Sequence, residues 1–153
     1  MEILFKRINK EAMIPCYKHI GDGAQDLKAV SCSYNAKYDR FEYGLGFATE
    51  FGPKYRARIC AKSGNTKTDA YIPNTPGLID SNYRGEWLVI YKLRTPITDI
   101  EHAMDYAPYQ VGDLIGQVWF EEVIEPEWVE VSALSDSNRG ADGGLIRDDK
   151  NFK

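Results

Sequence analysis

Apolar and polar residues alternate along this chain in short stretches, and no segment repeats at the 3.6-residue spacing of a sustained helix. Residues 2–8 alternate loosely, and 27–34 and 41–50 read as further strands separated by polar turns. The stretch Tyr55-Arg56-Ala57-Arg58-Ile59-Cys60-Ala61 places its apolar side chains on one face and both arginines on the other. Strands are also expected at 78–79, 86–93, 114–123 and 128–132, each bounded by Pro, Gly or Asp, with a single helical turn after Ser63. Short strands at intervals of about ten residues predict an all-β sandwich or barrel.

Composition sharpens that picture. Ten tyrosines and three tryptophans suit pleated, half-buried surfaces. At 153 residues, with 43% hydrophobic and 27% charged, the chain is expected to form one globular domain over residues 1–134. Residues 135–153, with little apolar content beyond Leu145, Ile146 and Phe152, are expected to be a flexible tail. The net charge of -4 argues against a protein that coats nucleic acid by bulk electrostatics, but leaves room for a small anion held by a few placed donors. The start MEILFKRINK has no apolar signal core and no apolar run approaches bilayer length, so a soluble, cytoplasmic or otherwise intracellular protein with no membrane contact is expected. Cys16, Cys32 and Cys60 are widely spaced and form no CxxC pair, so they read as reduced packing residues.

Several strings carry candidate chemistry. In the stretch 77–86, Leu78 and Ile79 read as a strand, Asp80-Ser81-Asn82 as a turn, and Glu86-Trp87-Leu88 onward as a return strand, which would set Asp80 and Tyr83 on a rigid hairpin. Taken alone, an Asp in such a turn caps its own backbone. Asp26 opens a short strand, where the same plain explanation applies. Ser63 followed by Gly64 offers a hydroxyl and backbone amides, a small concavity suited to phosphate oxygens. Asn74 carries an amide that both donates and accepts, yet between Pro73 and Thr75 it serves equally as turn punctuation. His19 and His102 lack metal-ligand spacing, and no phosphate loop of the GxxxxGK[ST] kind or zinc-deaminase signature is present.

In order, these strings resemble the five motifs of the trimeric dUTP pyrophosphatases. Gly23-Ala24-Gln25-Asp26-Leu27-Lys28-Ala29 resembles the first, and Ala61-Lys62-Ser63-Gly64-Asn65 stands at the second, with Ala61 for Pro and Lys62 for Arg. The third matches at Gly77, Ile79, Asp80, Tyr83, Arg84 and Gly85. Gly112-Asp113-Leu114-Ile115-Gly116-Gln117 resembles the fourth, with Leu114 for Arg, and Arg139-Gly140-Ala141-Asp142-Gly143 the opening of the fifth. Gly144-Leu145-Ile146-Arg147 replaces the stretch that carries the family's uracil-stacking aromatic, a place that Phe152 or Trp87 is expected to fill.

The resemblance implies a distorted jelly-roll β-barrel, a homotrimer with active sites where subunits meet, and hydrolysis of dUTP to dUMP and pyrophosphate. That reaction limits uracil in DNA and supplies dUMP for thymidylate synthesis. It further implies that Asp80 activates water and that Tyr83 packs on deoxyribose, while Asn74, Gly77 and Ile79 meet the nucleoside. Lys62, Ser63, Gly64, Gln117, Arg139 and Gly140 would contact phosphates, and Asp26 would hold waters of a Mg²⁺ ion. Two rival readings remain: a dCTP deaminase of the same superfamily, and a dUTP-binding regulator with weak turnover.

Overall fold

The computed structural model describes residues 1–138. Their strands are β1 Ile3–Arg7, β2 Gln25–Lys28, β3 Ser31–Asn35, β4 Arg40–Gly44, β5 Phe47–Phe51, β6 Tyr55–Cys60, β7 Ala70–Tyr71, β8 Gly77–Ile79, β9 Leu88–Leu93 and β10 Leu114–Glu122. Two 3₁₀ turns, Ser63–Lys67 and Ala103–Tyr106, are the only helical pieces among the described residues. No helix among these residues is long and apolar enough to cross a membrane.

All pairings are antiparallel. One sheet has the order β2-β10-β6-β8, the other β3-β4-β9-β7, and β1 pairs with β5. The all-β, jelly-roll-like expectation holds, although the hydrogen-bond ladders do not run continuously from one sheet into the next, so the barrel is open at its seams. Strand alternation does the sorting. In β6, Ala57 and Ile59 point inward while Arg56 and Arg58 point out; in β9, Val89 and Tyr91 are buried. These residues meet Leu27, Phe41, Tyr43, Phe47, Trp87, Ile115 and Val118 in one apolar cluster. Fully burying a side chain such as Phe41 or Phe47 contributes about 1.5–3 kcal/mol.

Four strand expectations, and one about a cysteine, need correction. The run 27–34 is two strands, because the chain changes sheets at Ala29 and Val30: Ala29 N donates to Asp113 O at 3.0 Å and Val30 N to Gly44 O at 2.9 Å. The run 41–50 is also two strands, broken at Gly46, whose φ of 72° belongs to the left-handed region. A Cβ there would meet Val30 and Asn9 side chains at 2.7 and 2.8 Å. The stretch 77–86 is not a hairpin: β8 pairs with β6, β9 pairs with β4 and β7, and residues 80–87 bridge the two sheets. Residues 128–132 join no ladder among the described residues, with Trp128 91% exposed, because none of the strands β1–β10 pairs with them. Cys32 and Cys60 are half-buried as packing residues should be, whereas Cys16 is exposed.

Candidate active site

The outward face of the first sheet brings three of the predicted residues together. Ladder register sets Gln117 opposite Asp26 on one side and opposite Cys60 on the other. Lys62 lies two residues beyond Cys60 and therefore on the same face. Its Nζ stands 2.9 Å from Asp26 Oδ1, which also accepts from Gln117 Nε2 at 3.3 Å. Asp26 is buried, at 5% exposure, and a polar group that deep is costly unless it is hydrogen-bonded, as it is here by Lys62 and Gln117. Its backbone N–H donates to Cys16 O at 3.0 Å, which pins the start of β2. Burial raises the Cys60 thiol above its ordinary range, so it stays neutral beside this group.

Immediately after Lys62 the chain turns through Ser63–Lys67, leaving Ser63 and Gly64 exposed. A Cβ on Gly64 would meet nothing within 4 Å, so the glycine leaves the turn's amides open to an approaching group. Asn65 ties the turn down. Its Nδ2 donates to Ala70 O at 2.8 Å and its Oδ1 accepts from the Tyr109 hydroxyl at 2.9 Å. Neither Asn65 nor Tyr109 was predicted from sequence. An Asn and Thr run after Ser-Gly does signal a side-chain-capped turn, but nothing local announces a partner 44 residues away.

A second group forms on the segment that bridges the sheets. Tyr83 N donates to Asp80 O at 3.1 Å, closing a tight turn, and the Tyr83 hydroxyl donates to Glu86 O at 3.0 Å. The ring lies against Gly85, where any Cβ would strike its hydroxyl and edge. Glu86 in turn accepts from Gly46 N at 2.8 Å, and Arg84 donates to Ser81 O at 2.6 Å while its Nε stands 3.4 Å from Glu50. Asp80 is exposed and Tyr83 is 43% exposed, so both present their side chains outward. Together with Leu78, Ile79, Glu86 and Leu88 they line a cleft of about 190 Å³. A smaller recess of about 40 Å³, lined by Asn74, Gly77 and Ile79 among others, shares Leu78, Ile79 and Leu88 with it. Asn74 Nδ2 would lie 3.7 Å from a Cβ on Gly77, so the amide rests against that glycine.

The predicted residues thus fall into two groups, Asp26, Lys62 and Gln117 with Ser63 and Gly64 next to them, and Asn74, Gly77, Ile79, Asp80 and Tyr83. No hydrogen bond or ion pair joins the groups among the described residues. Trp87 cannot stack on a ligand: it is 1% exposed and packed against Phe47 at 5.2 Å between ring centroids. Leu114, 38% exposed, pairs in register with Lys28 at the start of β10. Arg139, Gly140 and Phe152 lie outside the described residues. Another cleft, of about 580 Å³, opens behind the Asp80 turn between Met1, Leu4, Glu50, Tyr55 and Arg84, and holds none of the predicted site residues.

Comparison with known proteins closes the question of kinship. No family model matches the chain. Curated relatives do. The deoxyuridine 5′-triphosphate nucleotidohydrolase of Nautilia profundicola is 33% identical over 144 residues, covering 94% of this chain and 96% of the relative. That of Helicobacter hepaticus is likewise 33% identical, over 94% of this chain and 86% of its own. Among solved structures, a mutant dUTPase of Staphylococcus bacteriophage 80alpha with dUpNHpp superposes with a TM-score of 0.72 at 18% identity, over 94% of this chain and 96% of that one. A mutant dUTPase from phage phi11 of S. aureus, described with a structural Mg(II) ion, gives 0.69 at 15% identity over 89% and 100%. The structural likeness shows the fold. With a third of its positions identical to relatives over nearly their whole length, the chain belongs to the deoxyuridine 5′-triphosphate nucleotidohydrolase family.

Proposed function

We infer that this chain hydrolyses dUTP to dUMP and pyrophosphate. The observation that carries the reading is the cleft in which Asp80 and Tyr83 stand together, with Asn74 and Gly77 in the adjoining recess. A carboxylate, a ring and an amide in that order suit a reacting phosphate, a deoxyribose and a pyrimidine edge. Asp80 takes the proton of a water whose oxygen attacks the phosphorus nearest the sugar; the bond to the bridging oxygen breaks and pyrophosphate leaves. Tyr83, held by Glu86 O and Gly85, fills the space a 2′-hydroxyl would need. Asn74 pairs with the uracil edge, and Gly77 and Ile79 form the wall behind it.

The phosphates fall to the other group. Ser63 and Gly64 offer a hydroxyl and amides, Lys62 a cation, and Gln117 an amide that steadies charge on the attacked phosphate. Arg139 and Gly140 would complete the clamp from the tail, residues 135–153, closing over the domain of residues 1–134. Among the described residues no cluster of three His, Cys, Asp or Glu side chains could hold a metal. The single carboxylate of Asp26 would instead accept from the waters of a Mg²⁺ ion carried by the phosphates, a role suited to a hard cation that keeps much of its water shell. When bound, the ion supplies positive charge against the triphosphate.

A homotrimer with shared sites is part of the same proposal. Among the described residues Asp80 and Tyr83 share no hydrogen bond or ion pair with Asp26, Lys62 or Gln117, which fits a site whose two groups meet across copies. Ile124, Trp128, Val129 and Leu134, between 71% and 91% exposed, also offer an apolar strip for a neighbour. The testing experiment measures pyrophosphate from dUTP, dTTP, dCTP and UTP with Mg²⁺, with ammonia from dCTP read alongside and mass by light scattering. Turnover confined to dUTP by a trimer is expected. Comparable turnover of another nucleotide, ammonia release, tight dUTP binding without turnover, or an active monomer each overturns its part of the reading.

A further inference from the structure

The turn that presents Ser63 and Gly64 buries none of its own residues, so its position must be set from outside. Asn65 is the point of attachment. Besides its bond to Ala70 O, its backbone oxygen accepts from the Thr68 hydroxyl at 2.9 Å, and its side-chain oxygen accepts from the Tyr109 hydroxyl at 2.9 Å. Ala70 begins the short strand that leads on to Asn74.

Tyr109 comes from the long connection between β9 and β10 and is itself fixed by the core. Its N–H donates to the Tyr43 hydroxyl at 3.1 Å, and its carbonyl accepts from that hydroxyl at 3.0 Å. Its ring meets Tyr43 edge-on at 6.3 Å and tilts against Tyr91 at 5.1 Å. Tyr43 and Tyr91 are both 0% exposed. The Tyr91 hydroxyl donates to Ile115 O at 2.6 Å, on the strand that carries Gln117 two residues later. Burial raises the Tyr109 phenol above its ordinary range, so it remains a donor throughout the working pH range.

We propose that Tyr109 is a positioning residue for the triphosphate, holding the Ser63–Gly64 turn through Asn65 in register with Gln117 on β10. This rests on the reading that Ser63 and Gly64 meet phosphate. The tyrosine trio then references two phosphate-facing elements to one rigid part of the core, the support that a precisely aimed site needs. Tyr109→Phe keeps the ring packing and removes the hydroxyl, and with it the bond to Asn65 and the contact with the Tyr91 hydroxyl.

The experiment compares Tyr109→Phe, Asn65→Leu, the double variant and Ser63→Ala as full chains. It reads KM and kcat for dUTP, and inhibition by deoxyuridine, which has no phosphate. Tyr109→Phe is expected to raise KM for dUTP roughly 2- to 12-fold, the worth of one neutral hydrogen bond, with deoxyuridine inhibition unchanged and melting lowered by no more than about 5 °C. The double variant is expected to be no worse than Asn65→Leu alone. Unchanged KM in Tyr109→Phe, an equal shift in deoxyuridine inhibition, or additive losses in the double variant overturns the proposal. Ser63→Ala separates the two levels: if it binds dUTP as the parent does, the phosphate reading of the turn fails. If it is impaired while Tyr109→Phe is not, only the positioning role falls.

Discussion

Replacing Lys62 by methionine takes the ammonium away from Asp26 and leaves a side chain of similar length. The Asp26 side chain is 7% exposed and that of Lys62 24% exposed. Without Lys62 the carboxylate keeps only Gln117 Nε2, at 3.3 Å, as a side-chain donor among the described residues. Removing one partner of a fully buried pair costs about 3–5 kcal/mol. Lys62 keeps part of its length in water, which can follow into the space it vacates, so about half of that, ~1.5–2.5 kcal/mol, is expected here. Asp26→Asn costs less, about 0.5–1 kcal/mol, because the freed ammonium swings to solvent on its flexible stem.

The double variant Lys62→Met with Asp26→Asn leaves no charge stranded. It should be less destabilised than the two single changes summed, with a coupling of about 1–2 kcal/mol. The assay is urea unfolding near neutral pH, at one subunit concentration throughout because a trimer's stability depends on it. Single effects that add to within about 0.3–0.5 kcal/mol would show that the pair contributes nothing as a pair, and the charge-compensation argument would be wrong. Lys62→Arg supplies a kinetic arm. A guanidinium can keep Asp26 and still turn further donors toward phosphate, so KM for dUTP should fall or stay level, not rise.

Asp80→Asn should preserve folding and dUTP binding while lowering kcat by about 10²- to 10⁴-fold, the usual worth of a general base; a near-normal kcat would make Asp80 a turn residue. Tyr83→Ala should reduce the preference for dUTP over UTP, and an unmoved ratio of the two kcat/KM values would leave the ring a packing element. Gly85→Ala should act on the same ring, since its Cβ collides with Tyr83, and is expected to raise KM without removing any functional group. At high pH the fold should weaken. Burial raises Tyr43 and Tyr91, and burial with Asp39 pushes Tyr34 up to about 12, so the native state holds these protons after the unfolded chain has released them near pH 10. Stability is therefore full below pH 10 and is lost as pH rises beyond it, and the part of the tyrosinate absorbance that belongs to Tyr34, Tyr43 and Tyr91 should appear together with unfolding rather than before it.

Much of the fold was legible where one strand face is apolar and the other polar. In β6 the arginines and the Ala57–Ile59 pair separate cleanly, and the structure puts each on the expected side. Where the chain changes sheets the signal fails. Val30 and Gly46 sit inside runs that alternate well on both sides, and what breaks the strands is a change of pairing partner, which periodicity does not encode. The same blindness turned residues 80–87 into an expected hairpin, although the local turn chemistry at Asp80 was read correctly. Residues 128–132 alternate as a strand should, yet a strand also needs a neighbour, and the described residues provide none there.

The site was legible one residue at a time, but its arrangement was not. Asp26 and Gln117 are 91 residues apart, and only the β2–β10 ladder makes them neighbours. That adjacency carries an electrostatic consequence that spacing could not reveal. The charge of Lys62, which reads in sequence as a free cation for phosphate, is already balanced by Asp26 at 2.9 Å. On the same face Arg56 and Arg58 are both engaged by Glu121, at 2.5 and 3.0 Å. Three cations, Lys62, Arg56 and Arg58, thus share two carboxylates, Asp26 and Glu121, which leaves this face one positive charge in excess in a chain of net charge -4, and it offers a triphosphate hydrogen-bond donors with only weak net attraction. Under the proposed function, most of the attraction comes from the metal ion and from Arg139.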